Sequence, residues 1–315
     1  EVDLVEDGAT KSVPFSTDLF DYGPRVEPPS DPSGLSFSGF RARYPINAPD
    51  RLDEFVVFQG ASYFRAVGAG QRYGLSARGL VINRPDGNGE EFPDFRKFWL
   101  IRPNPGDNSL IVLALLDSPS TTGAYRFTLR PGENTTIDVE LSLFPRVEVQ
   151  KIGLAPLTSM FLFDAAQRFQ YDDFRNAVHD SSGLQMLTGK GERLIRPLAN
   201  PALLQISAFI DNNPRGFGLV QRARDFADYQ DMDTRFDLRP SAWIEPVGEW
   251  GSGAVVLTEI PTDTQTNDNV VAYWRPDRDL KPNERFDLAY RLYFCDTPPD
   301  DVPLARVVAT RSGLS

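Results

Sequence analysis

The chain has one cysteine, Cys295, and one histidine, His179. A lone cysteine leaves no intrachain disulfide framework and no cysteine-based zinc site. A lone histidine excludes a two-histidine metal site and forces any Ser-His-Asp triad through His179 itself. Basic charge is also short. With 33 Lys and Arg against 44 Asp and Glu, the net charge is −11. No basic run offers the stripe that phosphate neutralisation requires, so nucleic acid is a poor partner. Apolar runs are brief: the longest, Leu110 to Leu116, is strand-sized and falls well below the roughly 18 residues of a membrane helix, so no membrane span is expected.

What the chain has is turn residues, carboxylates and aromatics. Its 24 glycines and 26 prolines cluster at Pro28-Pro29, Pro85 to Gly89, Pro103 to Gly106 and Asn212 to Gly216, punctuating many short strands. Tyr125, Phe127 and Leu129 alternate with polar residues, a turn at Pro131-Gly132-Glu133-Asn134 follows, and Ile137, Val139, Leu141 and Leu143 alternate again. That pattern predicts a long β-hairpin with one buried face, and it returns in Phe286 to Phe294. Ser109 to Leu116 and Leu203 to Ile210 read as central strands, apolar on both faces. Helix is expected only at Thr158 to Arg168 and at Arg224 to Tyr229. These features predict an all-β, largely antiparallel sandwich forming one domain. The opening Val2, Leu4 and Val5 already look like strand, and Ala305 to Ser315 has the small, polar character of a linker, so the sequence reads as a fragment.

Several blocks, in one order, carry a resemblance: GASYFRAVGAGQRYGLSARGL from Gly60, GEEFPDFRKFW from Gly89, LLDSPSTTGAYRF from Leu115, APLTSMFLF from Ala155, HDSSGL from His179, RDFADYQDMDTRFDLRPSAWIEP from Arg224, and EIPTDTQTNDNVVAYW from Glu259. With these, the chain resembles the OpgG/OpgD (MdoG/MdoD) family of osmoregulated periplasmic glucan biosynthesis proteins. The resemblance implies a galactose-mutarotase-like supersandwich over residues 1–303, with the beginning of that domain absent. It further implies a linker at 304–315 toward an immunoglobulin-like domain, and a periplasmic location. Some members act as inverting β-1,2-glucanases.

Inverting glycoside hydrolysis needs a protonated carboxyl for the leaving oxygen and a second carboxylate to activate water. By resemblance these are Asp180 and Asp268, with Asp180 expected as the acid and Asp268 as the base. Read alone, each is an ordinary turn residue, Asp before Ser-Ser-Gly and Asp between two Asn. His179 is expected as a packed histidine that at most supports Asp180. Arg224, Asp225, Tyr229, Asp231, Arg239 and Trp243 are expected to wall a sugar cleft through ring stacking and paired hydrogen bonds, although a solvated charged loop would look the same. Arg65, Tyr73 and Arg78, around the glycines at 68, 70 and 74, and Trp274 are further expected glucan contacts. Glu90 and Glu91 could bind hydroxyls, although a paired-Glu turn is usually just solvated.

Two functions fit. One is a glycoside hydrolase or related transglycosylase acting on linear β-1,2-glucan. The other is a non-catalytic scaffold that holds the glucan during synthesis, branching or export. Neither requires a cofactor or metal. Homodimer formation and contacts with other glucan-synthesis machinery are left open.

Overall fold

A computed structural model describes residues 1–83 and 89–299. Two large sheets face each other. One has eleven strands, in the order Arg193–Pro197, Gly183–Leu187, Gly216–Val220, Ser241–Val247, Phe286–Cys295, Thr135–Pro145, Thr121–Arg130, Leu110–Asp117, Asp94–Ile101, Val2–Glu6 and Ala9–Ser12. The other runs Gln205–Asn212, Ser252–Glu259, Val270–Pro276, Ile152–Ser159, Ser76–Arg78, Tyr63–Ala66, Arg51–Phe58 and Phe40–Ala48, with Val81–Asn83 and Glu90–Glu91 attached beside Ile152–Ser159. Pairing is antiparallel throughout the described strands except where Val2–Glu6 lies parallel to Asp94–Ile101. Among the described residues no helix is long and apolar enough to cross a membrane.

The predicted hairpin forms as expected, with Thr121–Arg130 paired to Thr135–Pro145 around the turn at 131–134. Its period-two pattern sends Phe127, Leu129, Ile137 and Leu143 into the space between the sheets, each with no exposed surface. There Phe127 meets Phe58 and Phe64 edge-on at centroid distances of 5.1 and 5.4 Å, the geometry that aromatic quadrupoles favour.

Three expectations are corrected. Thr158 to Arg168 is not helical: Ile152–Ser159 is a strand buried along its whole length, Phe161–Phe163 pairs with Val178–His179, and only a single 3-10 turn follows at Arg168–Gln170. A run buried on both faces has no period to read, and Pro156, which a helix interior would reject, sits at a bulge between Leu154 and Leu157. Gln205–Asn212 is an edge strand with Ile206 and Ile210 exposed, not a central one. Leu110–Asp117 is central in its sheet but buries only one face fully. Its Leu113 and Leu115, with Trp99 and Val247, line a groove of about 990 Å³ on the outer side. The helix expected at Arg224 to Tyr229 is present as the single turn Phe226–Tyr229. The expected linker at 304–315 lies outside the described residues, as do positions 84–88 of the Pro85 to Gly89 turn.

Candidate functional site

Strand alternation builds the floor of the site. Phe64, Ala66 and Ala77 enter the core, so Tyr63, Arg65, Ser76 and Arg78 project from the outer face of the second sheet. Tyr63 lies opposite Arg78 in the register, which leaves Arg65 beside Ser76, and Arg65 Nε donates to Ser76 Oγ at 2.6 Å. The Arg78 guanidinium lies over the Tyr63 ring at 4.8 Å and the Phe92 ring at 5.2 Å and is ion-paired with Glu90; contrary to expectation it is buried and closed to a glucan.

Two segments bring carboxylates to this floor. Asp268 lies in the loop between Ser252–Glu259 and Val270–Pro276, where its Oδ2 is 3.7 Å from Arg65 Nη2. Asp180 follows Val178–His179, with its N–H donating to the Met160 carbonyl at 2.8 Å, and is ion-paired through Oδ1 with Arg239 Nη1. The two meet through a third segment. The buried Asn269 side chain accepts from Phe161 N–H at 2.8 Å and donates to the Phe161 carbonyl at 3.0 Å, and Phe161 is the register partner of His179.

The result is a four-charge cluster of Asp180, Asp268, Arg65 and Arg239. Burial pushes Asp180 up to about 6; Arg239 pulls it down and Asp268 pushes it higher. Burial likewise raises Asp268, against Arg65 and Arg239. The side chains differ in access: Asp268 is 32% exposed and Asp180 only 4%. With one carboxyl facing solvent and the other inside, ionising both at once is disfavoured.

Of the other expected residues, few reach this cluster. Arg239 does, held above the Phe236 ring at 4.6 Å and against Gly74, where an added Cβ would fall 2.9 Å from its Cβ and Cδ. Tyr73 lies nearby, its hydroxyl raised by burial and then by Glu54, with Arg65 opposing. Tyr229 is a correction: it is fully buried, bonds the Ala223 carbonyl at 3.1 Å and meets His179 edge-on, so no ring face is open to a sugar. Asp231 is another. It accepts from the N–H groups of Asp233 and Thr234 and from Arg175, and these bonds hold it at about 2 although burial opposes them. Arg224 is a strut, donating to the carbonyls of Arg239 and Asp296 and to Ser241 Oγ. Asp225 is exposed at the start of the short helix.

Both tryptophans are placed away from the cluster. Trp274 is sealed in the core beside Trp250 at 6.1 Å. Trp243 belongs to the eleven-stranded sheet and packs over Gly216, where an added Cβ would lie 2.2 Å from the indole. Each is excluded from a cleft wall by burial. His179 is packed as expected, stacked on Phe161 at 5.4 Å and driven down to about 4 by burial, so it stays neutral at pH 7. Glu90 and Glu91 are not solvated: Glu90 pairs with Arg78, and Glu91 accepts from Ser120 N–H and Oγ at 3.0 and 2.7 Å.

Sequence reading missed Tyr63, Ser76, Asn269 and the contact made by Gly74. The polar residues at 63, 65, 76 and 78, flanking apolar ones at two-residue spacing, were the available signal for the floor.

A family model described as "Periplasmic glucan biosynthesis protein, MdoG" matches residues 1–315. "Glucans biosynthesis protein G" from Vibrio cholerae serotype O1 is 52% identical over 318 residues, spanning 100% of this chain and 58% of that protein. The protein of the same name from Shewanella frigidimarina is 52% identical over 313 residues, spanning 99% of this chain and 56% of that protein. The chain therefore covers little more than half the length of these relatives. Among solved structures, the GH36 α-galactosidase AgaA from Geobacillus stearothermophilus aligns with 81% of this chain and 40% of its own, at 10% identity and a TM-score of 0.42. That likeness is too slight to bear on function.

Proposed function

The chain belongs to the MdoG family of periplasmic glucan biosynthesis proteins, and from that premise we propose that it cleaves or transfers linear β-1,2-linked glucan, with Asp180 and Asp268 forming its acid–base pair. The observation that carries this reading is the coupling of two raised carboxyls, one inner and one solvent-facing, within a frame of two arginines. Two carboxyls in one low-dielectric site do not both ionise readily, which supports a division of the pair into a proton donor and a proton acceptor.

Access supports a division of roles opposite to that expected from the resemblance. Contact precedes pKa in choosing a general acid. With 32% of its side chain exposed, Asp268 can reach a glycosidic oxygen, whereas Asp180 at 4% acts on water through an intervening group. Arg65 and Arg239 then bind glucose hydroxyls around the pair, which neutral sugars accept without any need for net charge, whereas the Tyr73 hydroxyl is sealed from solvent.

The Asp180–Arg239 ion pair favours a second reading, because it satisfies the inner carboxylate without any turnover. A scaffold would bind the glucan and leave it intact. Incubation with linear β-1,2-glucan separates the two: the enzyme reading requires new reducing ends or longer transfer products, and binding with no change in chain length refutes it. Asp180→Asn should lose turnover on every substrate. Asp268→Asn should lose it on glucan yet retain it on an aryl glycoside whose leaving group needs no proton; equal loss on both refutes Asp268 as the acid.

A further inference from the structure

The floor of the candidate site extends beyond Asp268 and Arg65. Tyr63 stands two residues of strand from Arg65, about 7 Å along the sheet. The buried Arg78 guanidinium then joins the Tyr63 ring to the Phe92 ring, 4.8 and 5.2 Å from their centroids. Phe92 itself is 53% exposed, and with Asp94, Arg96, Asp117, Ser118 and Arg146 it bounds a second hollow of about 520 Å³.

Two features of that hollow depart from regular strand pairing. Asp94 and Asp117 are directly opposed in the ladder between Asp94–Ile101 and Leu110–Asp117, a like-charge pair that destabilises a sheet. Each is matched by an arginine, Arg96 to Asp94 at 3.7 Å and Arg146 to Asp117 at 2.7 Å. The second feature is a bulge. Leu115 lies opposite Lys97 and Leu116 opposite Phe95, so Arg96 is the extra residue, and its side chain is re-aimed outward while Phe95 and Phe98 both enter the core. Local rules broken in this way, with compensation, mark functional surfaces.

The wall is also held ready. The buried Glu91 accepts from Ser120 N–H and Oγ at 3.0 and 2.7 Å. Ser118 N–H and Oγ both donate to the Thr121 carbonyl, at 3.0 and 3.1 Å, and Arg146 donates to the Ser118 carbonyl. Little ordering remains for a ligand to impose.

We infer, resting on the reading of this chain as one that acts on linear β-1,2-glucan, that the hollow is a distal subsite for a glucose residue of the same glucan chain, stacked on Phe92. Two carboxylates against two guanidiniums leave no net charge, which disfavours an anion or a cation and suits a neutral ligand. Carboxylates accept from neighbouring hydroxyls and guanidiniums donate to them, while the apolar face of a hexose lies on the exposed ring. Arg78 backs that ring from within, its charge matched by Glu90.

The test is calorimetry with linear β-1,2-gluco-oligosaccharides of increasing length, read in Asp268→Asn protein so that the ligand stays intact. Affinity should step up once the chain is long enough to reach Phe92. Phe92→Ala, at an exposed site, should remove that step, weakening long chains about tenfold and leaving short ones unchanged. Phe92→Trp should keep the step, and Phe92→Leu, apolar but without a ring, should not. Arg96→Gln should weaken long chains about threefold. Long-chain affinity indifferent to Phe92→Ala, equal loss for short and long chains, or full retention in Phe92→Leu would each overturn the subsite. A Phe92-dependent step in a protein whose wild type turns over no glucan would refute the enzyme reading and keep the subsite. Absence of any glucan binding would overturn both.

Discussion

Asn269 holds both backbone groups of Phe161, accepting from its N–H and donating to its carbonyl, and so ties the loop of Asp268 to the strand pair that ends in Asp180. Neither aspartate contacts the other's segment so directly. The geometry of the candidate acid–base pair therefore depends on a buried amide that takes no part in the chemistry.

Replacing that amide should affect folding and turnover together. Asn269→Ala leaves the buried N–H and carbonyl of Phe161 without their partner, a loss of about 1 to 3 kcal/mol per unsatisfied group. Urea unfolding should register a destabilisation of that order, and glucan turnover should fall in protein that remains folded. Wild-type activity in Asn269→Ala would show that the loop is positioned by other contacts.

Asp180 makes stability depend on pH in a defined direction. Its carboxyl is held at about 6 against an ordinary 3.8. Below pH 4 both folded and unfolded chains carry the proton and the contribution is complete. As pH rises toward 6 and beyond, the unfolded chain releases its proton first, and the native state loses on the order of 2 to 3 kcal/mol. Asp180→Asn does not titrate, so its stability relative to wild type should rise by that order between pH 4 and pH 7, read from urea midpoints. Parallel pH curves for the two proteins would contradict a raised inner carboxyl.

Arg239 pulls Asp180 downward, so its removal should act through proton affinity. Arg239→Gln is expected to move the limb of the pH–rate profile that reports Asp180 upward by about one unit. Gly74→Ala, whose new methyl would crowd the Arg239 side chain at 2.9 Å, should move the same limb in the same direction by less. A lower maximal rate with an unshifted profile would assign Arg239 to substrate binding alone.

The buried tryptophan and tyrosine should behave as core residues. Trp274→Ala is expected to cost about 3 to 5 kcal/mol of stability. Tyr229→Phe, which strands the Ala223 carbonyl, should lower stability by about 1 kcal/mol. In folded protein neither should change glucan affinity, measured by calorimetry. Weakened binding without loss of stability would return either residue to the cleft.

Local pattern carried the hairpin at 121–145 and the strand at 286–295, because one face of each is dry and the other wet, and that difference is written at two-residue spacing. The same rule failed at 152–163, where both faces are covered and nothing alternates, and at 203–210, where aliphatic residues lie on an open edge as readily as in a core. The charged stretch from 224 to 243 looked like one binding wall. It is instead mostly scaffolding, with Arg239 reaching the carboxylates while Arg224 and Asp231 bond the backbone around them.

Composition and periodicity alone pointed to an all-β chain rich in carboxylates, in which one histidine and one cysteine leave few other candidate groups, because alternation is a property of neighbours along the backbone. The order of the sheets, the meeting of Asp180 with Asp268, and the burial that separates Trp274 from Arg239 came only with the fold. Those features are set by contacts between segments far apart in the chain, and by the loss of solvent around each group, which neighbouring residues do not encode.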